Sequence, residues 1–233
     1  MKYWIALLAS LALLPLTGPV AADERWYQVE VLVFARNQNP GGEHWRLDVR
    51  PDYPRDQAII YRDSGASLPD DADTPHRNAL RNGAWQALSE GNLTLNGMRR
   101  QMESSGEFRS LFHSAWRQPM RERNQSLPIM IQGGRQLPPD PALYRAADAL
   151  PGDDNADTDT PPAFDGRPQY ELQGTLLLSA SRFLHVDPNL WLARDDSSGQ
   201  RYYVDMRQSR RMRSGELHYI DHPLFGMVIK VTR

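Results

Sequence analysis

Alternating apolar and polar side chains in the last part of the chain limit its possible folds more than any other feature. In residues 170–178, tyrosine, leucine and glycine at even positions alternate with mostly polar residues at odd positions. Because side chains along a strand point to opposite faces in turn, this period of two indicates a β-strand. Similar extended segments follow at 182–186, 190–193, 201–206, 215–220 and 226–231. Turn-forming residues separate them, with Asp187-Pro188-Asn189 between the first two, so residues 168–233 are predicted to form an antiparallel sheet.

The first half of the chain mixes strand and helix patterns. The patterns predict a strand at 26–34, a helix at 92–105 and strands at 108–116 and 127–131. The helix carries Leu95, Met98 and Met102 at helical spacing. Residues 43–90 show no sustained period and are interpreted as an irregular, partly ordered insertion. We therefore predict an α+β fold, in which an N-terminal strand-helix-strand-strand unit of ferredoxin-like character is followed by the C-terminal antiparallel β-sheet region.

A segment rich in aspartate and proline, residues 138–167, separates these two regions. It contains almost no apolar side chains to bury, so the free energy of packing does not offset its ordering entropy. We expect an acidic disordered linker here. The predicted organisation is a leader at 1–22, an α+β region at 23–137, the linker at 138–167 and the antiparallel region at 168–233.

The N-terminus has the pattern of a signal peptide. Lys2 supplies a positive charge, Trp4 to Leu16 is mostly apolar, and the small residues Ala21 and Ala22 precede Asp23. The apolar run is shorter than the ~20 residues that a membrane-spanning helix needs. We therefore expect cleavage after Ala22, a periplasmic mature protein and no stable membrane insertion.

Composition excludes several classes of site. The chain contains no cysteine, which removes disulfides, thiol catalysis, zinc–thiolate sites and acylation at a cleavage-site cysteine. Its formal net charge is −2, whereas nucleic-acid-binding domains are usually strongly basic. No phosphate-binding loop, nucleophile elbow or zinc-protease motif occurs, so the sequence predicts neither a cofactor nor a nucleic-acid partner.

Residues 210–226 concentrate the side chains that could carry chemistry. Two histidines at i and i+4, His218 and His222, resemble a zinc pair, but that geometry requires a helix. Pro223 disfavours helical backbone at His222, and the flanking glycines indicate strand, turn and strand instead. No third ligand is identifiable, so no metal site is predicted.

A hydrolase would use Glu216 and Asp221 as paired carboxylates, as glycosidases do. The alternative is that these carboxylates form ion pairs with Arg210, Arg211 or Arg213 across neighbouring strands, which is a common arrangement. We favour the ion pairs and predict no catalytic residue. His113, in the middle of the chain, is likewise interpreted as a buried, hydrogen-bonded histidine and not as a base.

Three segments together resemble the CsiV family. They are 26–34 (WYQVEVLVF), 111–119 (LFHSAWRQP) and 210–226 (RRMRSGELHYIDHPLFG). The resemblance implies a periplasmic, non-enzymatic accessory protein that binds peptidoglycan. It further implies that the protein promotes wall synthesis through an outer-membrane lipoprotein that activates a class A penicillin-binding protein. A peptidoglycan-processing hydrolase that uses Glu216 and Asp221 is the alternative.

The sugar rings and carboxylates of peptidoglycan indicate which types of residue would bind it. Exposed aromatic rings stack on sugars, and arginine binds the carboxylates of stem peptides in bidentate fashion. The predicted binding residues are Arg210, Arg211, Arg213, His218, Tyr219, His222 and Trp191. Further groups of the same kind are supplied by Arg182, Arg194, Tyr202, Tyr203 and Arg207.

Overall fold

The computed structural model describes residues 24–37, 49, 51, 55–138 and 168–233. The predicted leader and nearly all of the predicted linker lie outside the described residues. The helices are α1 (Thr74–Arg81) and α2 (Asn96–Ser104). The strands are β1 (Trp26–Arg36), β2 (Ile59–Arg62), β3 (Gly65–Ser67), β4 (Phe108–Pro119), β5 (Ile129–Leu137), β6 (Gln169–Ala180), β7 (Leu184–Asp195), β8 (Arg201–Met206), β9 (Arg210–Met212), β10 (Leu217–His222) and β11 (Phe225–Thr232).

The strands form two sheets that pack against each other. The first sheet has the order β10-β11-β1-β4 and is antiparallel throughout. The second sheet has the order β3-β2-β5-β6-β7-β8, with β9 paired to β7 beside β8. Its strands are antiparallel except for β2 and β5, which run parallel. The described fold is therefore mostly β-sheet with two helices, which confirms the broad α+β prediction.

The predicted division into an N-terminal unit and a separate C-terminal sheet is wrong, because each sheet takes strands from both regions. β1 pairs with β11 from Gln28↔Thr232 to Ala35↔Phe225. In the second sheet, β5 pairs with β6 across the predicted linker. The order strand, helix, strand, strand is present as β1, α2, β4 and β5. However, β1 and β4 belong to the first sheet, whereas β5 belongs to the second. Local alternation identifies a strand, but it does not select the strand's partner.

The main core lies between the two sheets. On β1, the odd-numbered residues Val29, Val31 and Val33 face the second sheet and are fully buried. They meet apolar residues such as Ile129 and Leu176 from β5 and β6. Full burial of such side chains stabilises the fold by about 1.5–3 kcal/mol each. The apolar face that the sequence predicts for this first strand is confirmed.

The two sheets approach closely where β4 crosses β5. A Cβ atom at Gly133 would lie 2.1 Å from the carbonyl oxygen of Leu111, so only glycine fits at this crossing. Nearby, Arg109 on β4 donates a hydrogen bond at 2.5 Å to the fully buried carboxylate of Glu171 on β6. The close backbone contact at Gly133 and the ion pair between Arg109 and Glu171 together fix one sheet against the other.

Strand β7 runs through the turn that the sequence predicts at residues 187–189, and that prediction is wrong. Pro188 lies opposite Leu176 in the ladder with β6. On the other side of β7, the pairing with β9 ends at Val186 and the pairing with β8 begins at Leu190, so residues 187–189 have no strand partner there. Proline lacks an N–H donor and is tolerated at such an edge position.

The region 43–90, which shows no sustained period in the sequence, contains β2, β3 and α1. These elements are too short to produce a recognisable period.

The outer face of the first sheet carries α2. Leu95, Met98 and Met102 pack on Leu32, Phe34 and Val228, which confirms the apolar face predicted for this helix. The Glu30 carboxylate on β1 accepts hydrogen bonds from the backbone N–H groups of Thr94 and Leu95 at the start of the helix. It also lies 3.0 Å from the buried His113 ring on β4, so the prediction of a buried, hydrogen-bonded histidine is confirmed. These contacts fix α2 over β1 and β11.

Candidate functional site

The terminal motif passes from one sheet to the other. Residues 210–212 form β9 on the second sheet, and after a turn at Gly215 the chain enters β10 at the edge of the first sheet. A second turn leads into β11. The predicted pattern of strand, turn and strand is confirmed. The motif therefore places side chains on two surfaces, one beside α2 and one at the end of the two packed sheets.

The first surface, which we call the aromatic groove, lies between α2 and β10. Its volume is about 380 Å³. Its walls are almost wholly apolar: Phe34, Met98, Met102, Phe108, Leu217, Tyr219 and Val228, with His218 at its edge. Leu217 is 50% exposed and Tyr219 is 41% exposed, unusual values for large apolar side chains. Exposed aromatic and aliphatic side chains beside a concave surface are typical of a binding site.

The Tyr219 ring stacks on Phe34, and Gly226 leaves space for both rings. The Tyr219 and Phe34 rings are parallel within 2°, with centroids 6.1 Å apart, and Phe34 meets Phe108 edge to face at 5.3 Å. A Cβ atom at Gly226 would lie 2.5 Å from the Phe34 ring and 3.0 Å from the Tyr219 ring. The bare backbone at Gly226 therefore makes room for both rings.

A charged cluster surrounds the hydroxyl group of Tyr219, whose ring lines the aromatic groove. The guanidinium group of Arg36 donates to the Asp221 carboxylate at 2.8 Å and to the Tyr219 hydroxyl at 3.0 Å. The Tyr219 hydroxyl donates to the same carboxylate at 2.5 Å. Burial raises the pKa of Tyr219 to about 12, and the neighbouring carboxylate adds to this. For Asp221, burial raises the pKa, but the hydrogen bonds from Tyr219 and Arg36 outweigh it and lower the pKa.

These contacts revise the predicted ion pairs. Asp221 pairs with Arg36 on β1, so the prediction that it pairs with an arginine of the terminal motif is wrong. Arg36 is 185 residues away in sequence, and no local pattern relates the two. Glu216 does lie near Arg213, at 3.7 Å, as predicted. A glycosidase acid needs a raised pKa, whereas Asp221 is held ionised, so the cluster is unsuited to that role.

The second surface, which we call the arginine cleft, is a cavity of about 230 Å³ at the end of the two packed sheets. Arg25, Arg182 and Arg213 line it, with Ser181 and Ser214. The buried floor includes Tyr27 and Met212, and Phe183 forms part of the wall. The predicted residue Arg211 lies outside the cavity, with its guanidinium group 4.6 Å from the centroid of the Phe183 ring.

The remaining predicted binding residues do not join one site. Arg210 is exposed on β9, opposite Val186 of β7. Trp191 is 1% exposed on β7, so its prediction as a stacking platform is wrong. Alternation assigns a tryptophan to one face of a strand but does not reveal whether that face is covered.

The two histidines of the motif take part in turns. His218 Nε2 accepts a hydrogen bond from the Arg213 backbone at 3.3 Å, and His222 Nδ1 accepts one from the Leu224 backbone at 3.2 Å.

Within residues 24–37, 49, 51, 55–138 and 168–233, no three metal-ligating side chains come together. No helix of the described residues has the length and apolarity needed to cross a membrane.

Sequence reasoning missed four residues of these surfaces: Phe34, Arg36, Phe108 and Arg25. One signal was available for the first, because the second face of the 26–34 segment becomes apolar toward its end. That change indicates a layer packed on the outer side of the sheet, here α2. Arg25 and Arg36 flank this strand and show no pattern of their own.

Comparison with known proteins gives a single assignment. Searches of curated proteins and of solved structures found no significant match. A family model described as "Peptidoglycan-binding protein, CsiV" matches residues 5–233, which is essentially the whole chain and includes both surfaces. The chain belongs to the CsiV family of peptidoglycan-binding proteins.

Proposed function

We propose that this protein is a periplasmic, non-enzymatic accessory protein that binds peptidoglycan. It promotes wall synthesis through an outer-membrane lipoprotein that activates a class A penicillin-binding protein. Family membership supports the peptidoglycan ligand. The observation that carries the proposal is the half-exposed Tyr219 ring, held against Phe34 at the mouth of the aromatic groove.

The aromatic groove matches the two-sided chemistry of an N-acetylated sugar. One face of a pyranose ring presents C–H groups and packs on aromatic or aliphatic walls such as Tyr219 and Leu217. Its hydroxyl and acetamido groups need hydrogen-bond partners, and Arg36 and Asp221 surround the hydroxyl group of Tyr219, whose ring lines the groove. Ligand sites commonly combine apolar walls with a few fixed polar groups in this way.

The absence of catalysis is part of the proposal. Asp221 is engaged by Arg36 and Tyr219, and its lowered pKa disfavours a role as proton donor. Glu216 lies on an exposed turn beside Arg213. The lipoprotein partner and the link to a penicillin-binding protein rest on the family resemblance.

Sedimentation with purified sacculi tests the ligand. Tyr219→Ala removes the stacking surface, and we expect binding to fall at least tenfold. Tyr219→Phe keeps the ring and should retain most of the binding. Tyr170→Ala, on β6 of the second sheet, is the control for loss of a tyrosine elsewhere. Unchanged binding by a folded Tyr219→Ala variant would remove the groove from the proposal.

Two further measurements test the remaining parts. Incubation of the wild-type protein with sacculi should release no soluble muropeptides, and release that depends on Glu216 would instead establish the hydrolase. A periplasmic pull-down analysed by mass spectrometry should recover the lipoprotein activator. Repeated recovery of peptidoglycan without any such lipoprotein would contradict the proposed pathway.

A further inference from the structure

The arginine cleft brings together positive charges from three distant parts of the chain. Arg25 precedes β1, Arg182 lies in the hairpin between β6 and β7, and Arg213 follows β9. Neither Arg25 nor Arg182 forms an ion pair within the described residues. Arg213 has one long contact, 3.7 Å, to the exposed Glu216. Like charges that share a cavity repel one another, and a bound anion relieves that repulsion.

Other arginines of the fold are neutralised within the protein, in contrast to those of the cleft. Arg121, on the surface adjoining Arg25 and Arg182, pairs with Glu24 and lies 3.8 Å from Asp73. The same holds for Arg36 with Asp221, Arg109 with Glu171, Arg123 with Asp187 and Arg201 with Asp195. Arg25 and Arg182 also line the adjoining cavity, which contains Glu24, Asp73 and Glu122. Among the described residues, however, no carboxylate lines the arginine cleft itself.

The walls of the cleft are suited to a small polar anion. The guanidinium group of Arg182 lies 5.5 Å from the centroid of the Phe183 ring, which orients it by cation–π attraction. Arg211, outside the cavity, lies 4.6 Å from the same centroid. Ser181 and Ser214 also line the cleft. A volume of about 230 Å³ admits a carboxylate-bearing side chain or chain end, and it is small for a disaccharide. Arginine binds carboxylates through two parallel hydrogen bonds.

The cleft and the aromatic groove are linked through the chain. Arg213 lies four residues before Leu217, which lines the groove, so the turn between β9 and β10 joins the two surfaces. We infer that the arginine cleft binds the carboxylates of peptidoglycan stem peptides, an inference that rests on the proposed function. The glycan strand lies in the aromatic groove, and its attached peptide reaches the cleft.

Calorimetric titration with a synthetic stem peptide tests this inference. The probes are the peptide with free carboxylates and the same peptide with every carboxyl group amidated. The wild-type protein should bind the free form at least tenfold more tightly, with affinity falling as salt screens the charges. The variant Arg25→Ala/Arg182→Ala/Arg213→Ala should lose at least tenfold in affinity for the free form. The control Arg62→Ala/Arg81→Ala/Arg100→Ala removes three exposed charges elsewhere and should bind like the wild type.

The outcomes separate this inference from the proposed function. Equal affinity of the wild type for the two peptides overturns the inference, whether or not the triple variant folds. An equal loss in the control variant overturns it as well, because net charge would then explain the binding. If intact sacculi bind the folded triple variant as well as the wild type, the inference fails and the proposed function stands. If sacculi bind neither protein, the proposed function itself fails.

Discussion

The Glu30 carboxylate accepts a hydrogen bond from the backbone N–H of Leu95 at 2.8 Å. This contact joins β1 to the first turn of α2, where backbone N–H groups have no partner within the helix. A buried carboxylate from the sheet thus takes the place of a capping side chain. The helix that forms one wall of the aromatic groove is fixed by a charge on the sheet beneath it.

Replacement of Glu30 by glutamine should destabilise the fold. Glutamine has a similar shape, but it has no charge and only one acceptor oxygen for the donors of Thr94, Leu95 and His113. We expect a loss of about 1–3 kcal/mol in the free energy of unfolding, the usual range for buried hydrogen bonds to a charged group. Urea denaturation measures it. The variant Glu103→Gln, on the exposed end of the same helix, should change stability by less than about 0.5 kcal/mol. Equal effects would contradict the capping role.

Acid should unfold the protein through its buried carboxylates. Burial raises the pKa of Glu30, but the hydrogen bonds from Thr94, Leu95 and His113 outweigh it and lower the pKa below 4.5. A lowered folded-state pKa gives stability that is present above the unfolded-state pKa and is lost as pH falls through the folded value. Thermal unfolding should therefore show a melting temperature that decreases when the pH is lowered below about 4.5. Glu30→Gln should flatten this dependence, and an unchanged pH profile would contradict the assignment.

Gly226→Ala should distort the aromatic groove. The added methyl group would lie 2.5 Å from the Phe34 ring, so Phe34 or the strand must move. Overpacking of this kind costs about 1–3 kcal/mol. Gly97→Ala in α2 meets nothing within 4 Å and should instead raise stability by up to about 1 kcal/mol, because alanine favours helix. Differential scanning calorimetry of both variants checks the opposite signs.

Arg36→Ala should weaken sacculus binding more than it weakens the fold. Arg36 contacts Asp221 and Tyr219 and lies 5.5 Å from the centroid of the Phe108 ring, so it orders two of the rings that line the groove. Its ion pair is partly exposed, and such pairs contribute about 0–1 kcal/mol to stability. Sedimentation and urea denaturation of the same variant give the comparison. A stability loss that accounts for the whole binding defect would make Arg36 a structural residue only.

Processing of the leader stays a prediction from sequence. Small residues precede Asp23, so intact-mass measurement of periplasmic material should show a chain that begins at Asp23. Recovery of the protein in a membrane fraction with Met1 retained would contradict it.

Sequence patterns predicted individual elements well where the period was long. The strand at 170–178 appears as β6, and Leu95, Met98 and Met102 face the sheet as expected. Pairing could not be predicted, because one of the two partners of β1 is almost two hundred residues away and is selected by tertiary packing.

The candidate site was predicted in part. Tyr219 and Arg213 each lie on one of the two surfaces, as residue types alone suggested. Their neighbours Phe34, Arg36 and Arg25 come from the distant β1 segment, and chemistry without topology does not identify them. Trp191 is the opposite case: its residue type suits sugar binding, but its side chain is buried and cannot contact a ligand.

The pairing of β1 with β11 has a consequence for how the protein folds. β1 precedes the other described strands in the chain, yet one of its two neighbours in the sheet is β11, which lies almost two hundred residues later. Contacts between residues so distant in sequence form slowly, because a long loop must close first. Until residues 225–232 reach β1, that edge of the strand has no partner, so we expect the first sheet to close late in folding.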